Sequence, residues 1–296
     1  MAETELKMLK KIQRLLEKIN NTMNAVLSIN QNLDKINNKL NVMNEILLDI
    51  HSATGIQDNL NELNNFEYQV YSQNGEDGLL NEILNRLNIK TGFFIEIGVQ
   101  DGLETNTTYL LMKGWKGLWI EADKNYTLDI TNTFREEINS KALILKNEFV
   151  TTENIEQILI NANVPSTIDV LSIDIDSNDY WIWEKIKTQS PRVVIIEYNA
   201  FIPYDVEWIM NYQKNKIWDY STAFNSSLKS LEKLGKIKGY KLVACCKNGV
   251  NAFFVRKDLI TGQFPALDIH DIYMPIRYYL KRNYNVVKGF HRHPND

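Results

Sequence analysis

Cysteine is nearly missing from this chain: two occur in 296 residues, and they are neighbours, Cys245 and Cys246. Adjacent thiols do not bridge, so no disulfide framework is expected and a reducing compartment is. A basic excess is missing too. The 33 Lys and Arg face 37 Asp and Glu, a net charge of -4 that argues against a dedicated nucleic-acid binder. No apolar run approaches the roughly 20 residues of a membrane span, and the opening MAETELKMLKK has no apolar core of a secretion signal. These absences lead to the expectation of a cytoplasmic protein with no membrane span.

Residues 1–50 lack glycine, proline and aromatic side chains altogether. What remains has a seven-residue rhythm. Ile12, Ile19, Val26, Leu33, Leu40 and Leu47 fall at position a, and Leu15, Thr22, Ile29, Ile36, Met43 and Ile50 at d. A 3.5-residue period keeps one seam turned to a partner, which predicts a coiled-coil helix over 1–51, its six heptads forming a rod roughly 60 Å long at about 1.5 Å per residue. The e and g flanks carry Asn30, Asn32, Asn37 and Asn44 in place of Glu/Lys pairs, so charge does not choose the partner. The seam joins copies into a homo-oligomer of open order, or lies on its own globular domain. Gly55 and the Ser, Thr, Asn and Asp around it break the rhythm and predict a linker over 52–65. The globular domain is then 66–296, and a hydrophobic content of 44% is ample for its core.

That domain is organised around Thr91–Asn125. Gly92–Ile97 is short, apolar and β-rich, Gly98 and Gly102 bracket a turn, Glu104–Met112 is predicted helical, and Gly117–Ile120 is a second buried strand closed by Glu121. An acid ending the second strand of such a unit accepts the ribose hydroxyls of an adenosine cofactor. The spacing Glu96-x-Gly98-x-x-x-Gly102 is not the three-glycine dinucleotide fingerprint. Asp101 and Glu104, placed at the helix start, would repel a diphosphate and tolerate a sulfonium and an ammonium. S-adenosylmethionine is therefore favoured over NAD. Gln73 and Glu76, at the head of a helix predicted over 76–87, are placed above this pocket with Asp77, and Gln100 lies within the turn.

Beyond Glu121 the chain alternates strand and helix. Strands are predicted at 142–145, 169–176 and 192–197, helices at 154–162, 180–187 and 226–236, and a hairpin at 240–246 and 251–255 around Asn248-Gly249. The prediction is an α/β fold with a mixed, mostly parallel sheet and an antiparallel last strand. Ligands bind outside the carboxyl ends of such strands. Asp174 and Asp176 end one strand, and Glu197 and Asn199 another. Asp174, Glu197 and Asn199 suit a hard cation such as Mg²⁺ or Mn²⁺, which would activate an acceptor hydroxyl. Alternatively Asp174, Asp176 or Glu197 is a general base. An aromatic stretch, 201–224, follows where a lid would come from, and the tail from Arg277 is basic.

With EIGVQDG, IEAD, SIDIDSNDYWIW, VVIIEYNA and the closing GYKLVACCKNGVNAFFVRKDL in view, the chain resembles class I S-adenosylmethionine-dependent methyltransferases, specifically the FkbM-like group. Ser72-Gln73-Asn74-Gly75-Glu76-Asp77 matches that group's Ser-Gln-x-Gly-Glu-Asp run. The resemblance covers roughly 66–260 and implies a Rossmann-like methyltransferase fold. It also implies cofactor contacts at Glu96, Gly98 and Gly102, Glu121 on the ribose, and Asn147 or Glu148 near the adenine. Asp174-Ile175-Asp176-Ser177 departs from the group's Asp-x-Glu-Gly, and the arrangement of Asp174, Asp176, Glu197 and Asn199 at the ends of the fourth and fifth strands resembles metal-dependent O-methyltransferases. The acceptor implied is a small molecule or saccharide: a bacterial surface glycan, a capsule component or its phosphoryl substituent. The competing readings are a scaffold with a vestigial pocket and a nicotinamide-dependent oxidoreductase.

Overall fold

The computed structural model describes residues 62–219 and 221–277, with 16, 18–27, 29, 33 and 36 of the N-terminal segment. Two compact units emerge, Met1–Gln57 and Asp58–Asp296. In the first, every described residue is helical and exposed, including Ile19, Val26, Ile29, Leu33 and Ile36 of the expected seam. Thr22 of the seam is likewise helical and exposed; Ile12, Leu15, Leu40, Met43, Leu47 and Ile50, and the basic tail beyond 277, lie outside the described residues.

The second unit is a three-layer sandwich around one seven-stranded sheet. Its strands are β1 (Phe93–Ile97), β2 (Lys116–Glu121), β3 (Leu143–Asn147), β4 (Val170–Ile173), β5 (Val193–Glu197), β6 (Tyr240–Cys245) and β7 (Asn251–Arg256). They lie in the order β3-β2-β1-β4-β5-β7-β6. β7 runs antiparallel to both neighbours, β5 and β6, and the other pairings are parallel. This is the Rossmann-like methyltransferase fold, with the sequence-last strand antiparallel as expected. No helix among the described residues is long and apolar enough to cross a membrane.

Period-2 alternation builds the two faces. Ile95, Ile97, Leu118, Ile120, Val194 and Ile196 point to one core, beneath α5 (Ile155–Asn161), α6 (Asp179–Lys185) and α7 (Leu228–Lys238). Phe94, Trp119, Val193 and Ile195 point to the other, beneath α1 (Glu76–Arg86), α2 (Thr108–Met112) and α3 (Lys124–Thr133). α4 (Arg135–Asn139) and α8 (Ile269–Ile272) complete the helices described. In the stretch read as linker, a 3₁₀ turn at Glu62–Phe66 joins the core: Leu63 is fully buried and Asn64 Nδ2 donates to the Cys245 carbonyl.

Two elements are shorter than predicted. The crossover helix spans only Thr108–Met112, because the Glu96 carboxylate captures the Asn106 and Thr107 amides and holds the preceding chain as a loop. β4 stops at Ile173; Asp176 adopts a left-handed φ of 57°, so 174–178 is a loop rather than strand. Both differences fall on the sheet's carboxyl edge, where backbone departs from regular structure to build a cleft.

Candidate active site

A cleft of about 630 Å³ opens outside the carboxyl ends of β1, β2, β4 and β5. Its floor depends on Gly98. There φ is +83°, and a Cβ would sit 1.8 Å from the Asp174 carbonyl oxygen, so only glycine lets the β1 and β4 loops touch. Glu121 fixes the same turn from β2. Its Oε2 accepts from the Val99 and Gln100 amides at 3.1 and 2.8 Å, and its Oε1 from the Asp123 amide at 2.8 Å. Glu121, Gly98 and Gln100 all line the cleft.

Glu96 lines it too, yet its carboxylate is spent within the fold. Oε1 accepts from Asn106 N and Ser172 Oγ, and Oε2 from Thr107 N and Thr107 Oγ1. It positions the loop at the cleft, and burial holds its carboxyl above the usual range despite those donors. Gly102, expected at the cofactor, is absent from the cleft lining. Its φ is +78° and a Cβ would lie 2.8 Å from the Trp119 ring and 2.9 Å from Phe134, so it serves aromatic packing beneath. Asn147 likewise turns away: its Nδ2 donates to Glu121 O, Ala122 O and Thr127 Oγ1, leaving Glu148 to line the cleft. Asp101 and Glu104 precede α2 in a loop, so the helix-dipole argument against a diphosphate does not apply to them; Glu104 still lines the cleft.

The Ser72–Asp77 run divides its labour. Asp77 Oδ2 collects the Val70, Tyr71 and Ser72 amides and Ser72 Oγ, clasping the loop before α1. Glu76 instead faces the cleft beside Gln73, braced by Asn74 and by Asn251 Nδ2.

Asp174, Asp176 and Glu197 gather at the other end, each offering an oxygen within 4.8 Å of the others. Burial and mutual repulsion push the carboxyls of Asp174 and Glu197 well up, and burial raises Asp176. Glu197 Oε2 receives one hydrogen bond, from Asn225 Nδ2 at 2.5 Å. Asn199, expected as a cation ligand, is not in this group. It is fully buried, donates from Nδ2 to the Thr222 and Phe224 carbonyls and accepts from the Phe201 amide at Oδ1. It ties together the two ends of the aromatic flap. From that flap Lys216, Ile217 and Trp218 reach the cleft, and Asn178 anchors it through the Gln213 carbonyl.

Sequence reasoning missed Asp179, Asn225 and Asn251. Asp179 accepts from the Ile175 and Ser177 amides and so holds the left-handed turn at Asp176. The signal for Asn251 was its place opening β7, which the register sets opposite Glu197. Burial pushes Asp77 up to about 6 and Asp179 up to about 7. A carboxyl that holds its proton more tightly in the fold stabilises at low pH, and that contribution is lost as pH rises through the folded value. The thermal midpoint is therefore expected to be higher near pH 5.5 than near pH 8. The two groups supply about 3 kcal/mol of that difference, or ~6–10 °C. Scanning calorimetry checks this, and Asp179→Asn should flatten the profile.

No protein-family model matches the chain, and no curated protein does. Solved structures of similar fold do. The N-terminal domain of EvdMO1 with SAH bound aligns at a TM-score of 0.40 and 11% identity, over 61% of this chain and 79% of that one. A S-adenosylmethionine-dependent methyltransferase from Clostridium acetobutylicum aligns at 0.35 and 11%, over 60% and 88%. The pyocyanin biosynthetic protein PhzM aligns at 0.37 and 12%, over 59% of this chain and 53% of that one.

Proposed function

We propose that the chain is an S-adenosylmethionine-dependent methyltransferase acting on an acceptor oxygen. The observation that carries this is the charge of the cleft: nine carboxyl side chains line it against one lysine, Lys216. Such a wall suits a donor bearing a sulfonium and an ammonium and repels a dinucleotide's diphosphate. Glu121 takes the ribose hydroxyls, the Gly98–Gln100 turn runs under the cofactor, and Glu148 and Phe149 flank the adenine. At the far end one of Asp174, Asp176 and Glu197 takes the acceptor's proton. The acceptor oxygen forms a bond to the methyl carbon as the carbon–sulfur bond breaks, and sulfur keeps that electron pair. Burial raises these carboxyls above their ordinary range, which makes their ionised forms stronger bases. A surface glycan or capsule component remains the acceptor class proposed, in line with the FkbM-like resemblance.

Hard oxygen donors also fit Mg²⁺ or Mn²⁺, with Asp174, Asp176 and Glu197, and not Asn199, as the protein ligands. Bound there, a divalent ion lowers the pKa of an acceptor hydroxyl. Turnover lost to a chelator and restored by either ion assigns the metal; unchanged turnover leaves the carboxylates free. Titration with S-adenosylmethionine and with NAD tests the cofactor itself. Binding of NAD alone returns the oxidoreductase reading, and binding of neither returns the scaffold.

The N-terminal seam is proposed to join copies of the chain. Ile19 and Val26 are 58% and 50% exposed. Light scattering should show an oligomer that falls to monomer in Ile19→Asp/Val26→Asp, with cofactor affinity unchanged; an unchanged mass in the variant contradicts the seam.

A further inference from the structure

S-adenosylmethionine carries one anion, its carboxylate, and a cleft walled by carboxyl groups has to accommodate it. Among the described residues the lining holds one cationic side chain, Lys216, and no arginine or histidine. Lys216 belongs to the aromatic flap and not to the sheet, and the methyl transfer set out above makes no use of it. Its ammonium donates to Asp219 Oδ2, three residues on, at 2.6 Å. An ammonium has three donors, so among the described residues two are left for a ligand. The pair itself is loosely held: the Lys216 side chain is 18% exposed, but that of Asp219 is 53% exposed, and ion pairs this open to water contribute little.

The order of the strands determines which end of the cofactor reaches this lysine. Along the edge the sheet runs β3-β2-β1-β4-β5. Glu121 ends β2, and Glu148 and Phe149 follow β3, so ribose and adenine lie over that half of the edge. The amino-acid end then points the other way, towards β4 and the loop 174–178 that follows it. That same loop carries the flap. Asn178 Nδ2 donates to the Gln213 carbonyl at 2.8 Å, and Asn178 Oδ1 accepts from the Gln213 amide at 3.4 Å. Ser177 Oγ donates to the Lys216 carbonyl at 3.4 Å. Lys216 is thereby fixed beside the stretch of edge that the methionine portion reaches, an observation independent of the count of charges.

We infer that Lys216 binds the carboxylate of S-adenosylmethionine and so ties the flap to the cofactor. This rests on the methyltransferase reading above. Without a cation, the ligand's carboxylate would meet like charge from the lining; a charge-assisted hydrogen bond from Lys216 replaces that repulsion with attraction. Selectivity follows from the same contact, because a cofactor fragment that lacks the carboxylate gains nothing from the lysine. Ile217 and Trp218 come next in the chain and line the cleft while 73% and 37% exposed. A cofactor that holds Lys216 therefore also holds these two apolar side chains at the mouth of the cleft.

The test titrates the full chain with two ligands that differ at the carboxylate alone, S-adenosylmethionine and its decarboxylated form, at one ionic strength. Lys216→Gln is expected to weaken S-adenosylmethionine at least about tenfold. The same change should leave the decarboxylated form unchanged or tighter, because that ligand is doubly positive and loses a like charge from its site. Asp219→Asn, which releases the ammonium from its present partner, should leave S-adenosylmethionine binding intact or tighten it. Equal losses for the two ligands in Lys216→Gln, no loss for either, or a loss in Asp219→Asn as large as that in Lys216→Gln would each overturn the proposal. The last result would mean that the Lys216–Asp219 pair shapes the flap and the lysine touches no ligand. Binding of neither ligand by the unaltered chain brings down the methyltransferase reading itself. Binding of both, with Lys216→Gln moving them alike, brings down this inference alone.

Discussion

Gly98→Ala empties the cofactor site: affinity for S-adenosylmethionine is expected to fall more than about 100-fold, a loss of roughly 3 kcal/mol. Two effects combine at this position. A left-handed φ of +83° costs any L side chain about 1 kcal/mol, and the new methyl would lie 1.8 Å from the Asp174 carbonyl oxygen. The second effect dominates, because the obstacle is backbone and cannot rotate away. Relief requires the β1 and β4 loops to part, which moves Gln100 off the Glu121 carboxylate that fixes the turn. Gly114→Ala is the matched control. Its φ is +86° with nothing within 4 Å, so the change should cost about 1 kcal/mol of stability and leave cofactor affinity intact. Equal damage from the two changes, read by calorimetric titration and thermal unfolding, would show that φ alone matters and that the loop contact does not.

Glu197→Gln is expected to cut turnover by ~10²–10⁴ while raising the thermal midpoint. The two signs follow from one environment. Glu197 is 8% exposed and sits against Asp174 and Asp176, so burial and repulsion oppose its ionised form. A glutamine keeps the size, and its carbonyl oxygen still receives the Asn225 amide, while the buried charge is gone. What disappears with the charge is the capacity to take a proton from the acceptor. Loss of activity with gained stability is the expected mark of a site whose strain serves chemistry. A variant that is both less stable and fully active would place Glu197 among the structural carboxylates, with Asp77.

The sheet was legible in the sequence because its strands are short, apolar and bounded. VLSI and VVIIE are buried from end to end, as parallel strands covered on both faces must be. The antiparallel β7 was legible from Asn248-Gly249 alone. The site was legible only as far as strand ends identify it: Glu121, Gly98, Asp174 and Glu197 lie in the cleft because a strand's last residues reach the sheet edge. What failed depended on where a side chain turns after its strand ends. Asn199 follows β5 by two residues, and three backbone partners on the flap draw it out of the cleft. Asn147 is the last residue of β3, and carbonyls at the end of β2 claim it. Asp101 and Glu104 were read as helix-start acids, but the Glu96 carboxylate, reaching up from β1, delays the helix to Thr108. Contacts between residues distant in sequence decide each of these, and periodicity carries no information about them. Ser172 is the exception that could have been seen. A hydroxyl in a four-residue buried strand needs a partner, and Glu96 is set beside it by the sheet register.

The measurement closest to the central claim is a calorimetric titration of the full chain with S-adenosylmethionine and with NAD at low ionic strength. A cleft with nine carboxyl groups and one lysine should take the sulfonium cofactor at micromolar concentrations and show no heat with the dinucleotide. Saturable binding of NAD with none of S-adenosylmethionine would contradict it.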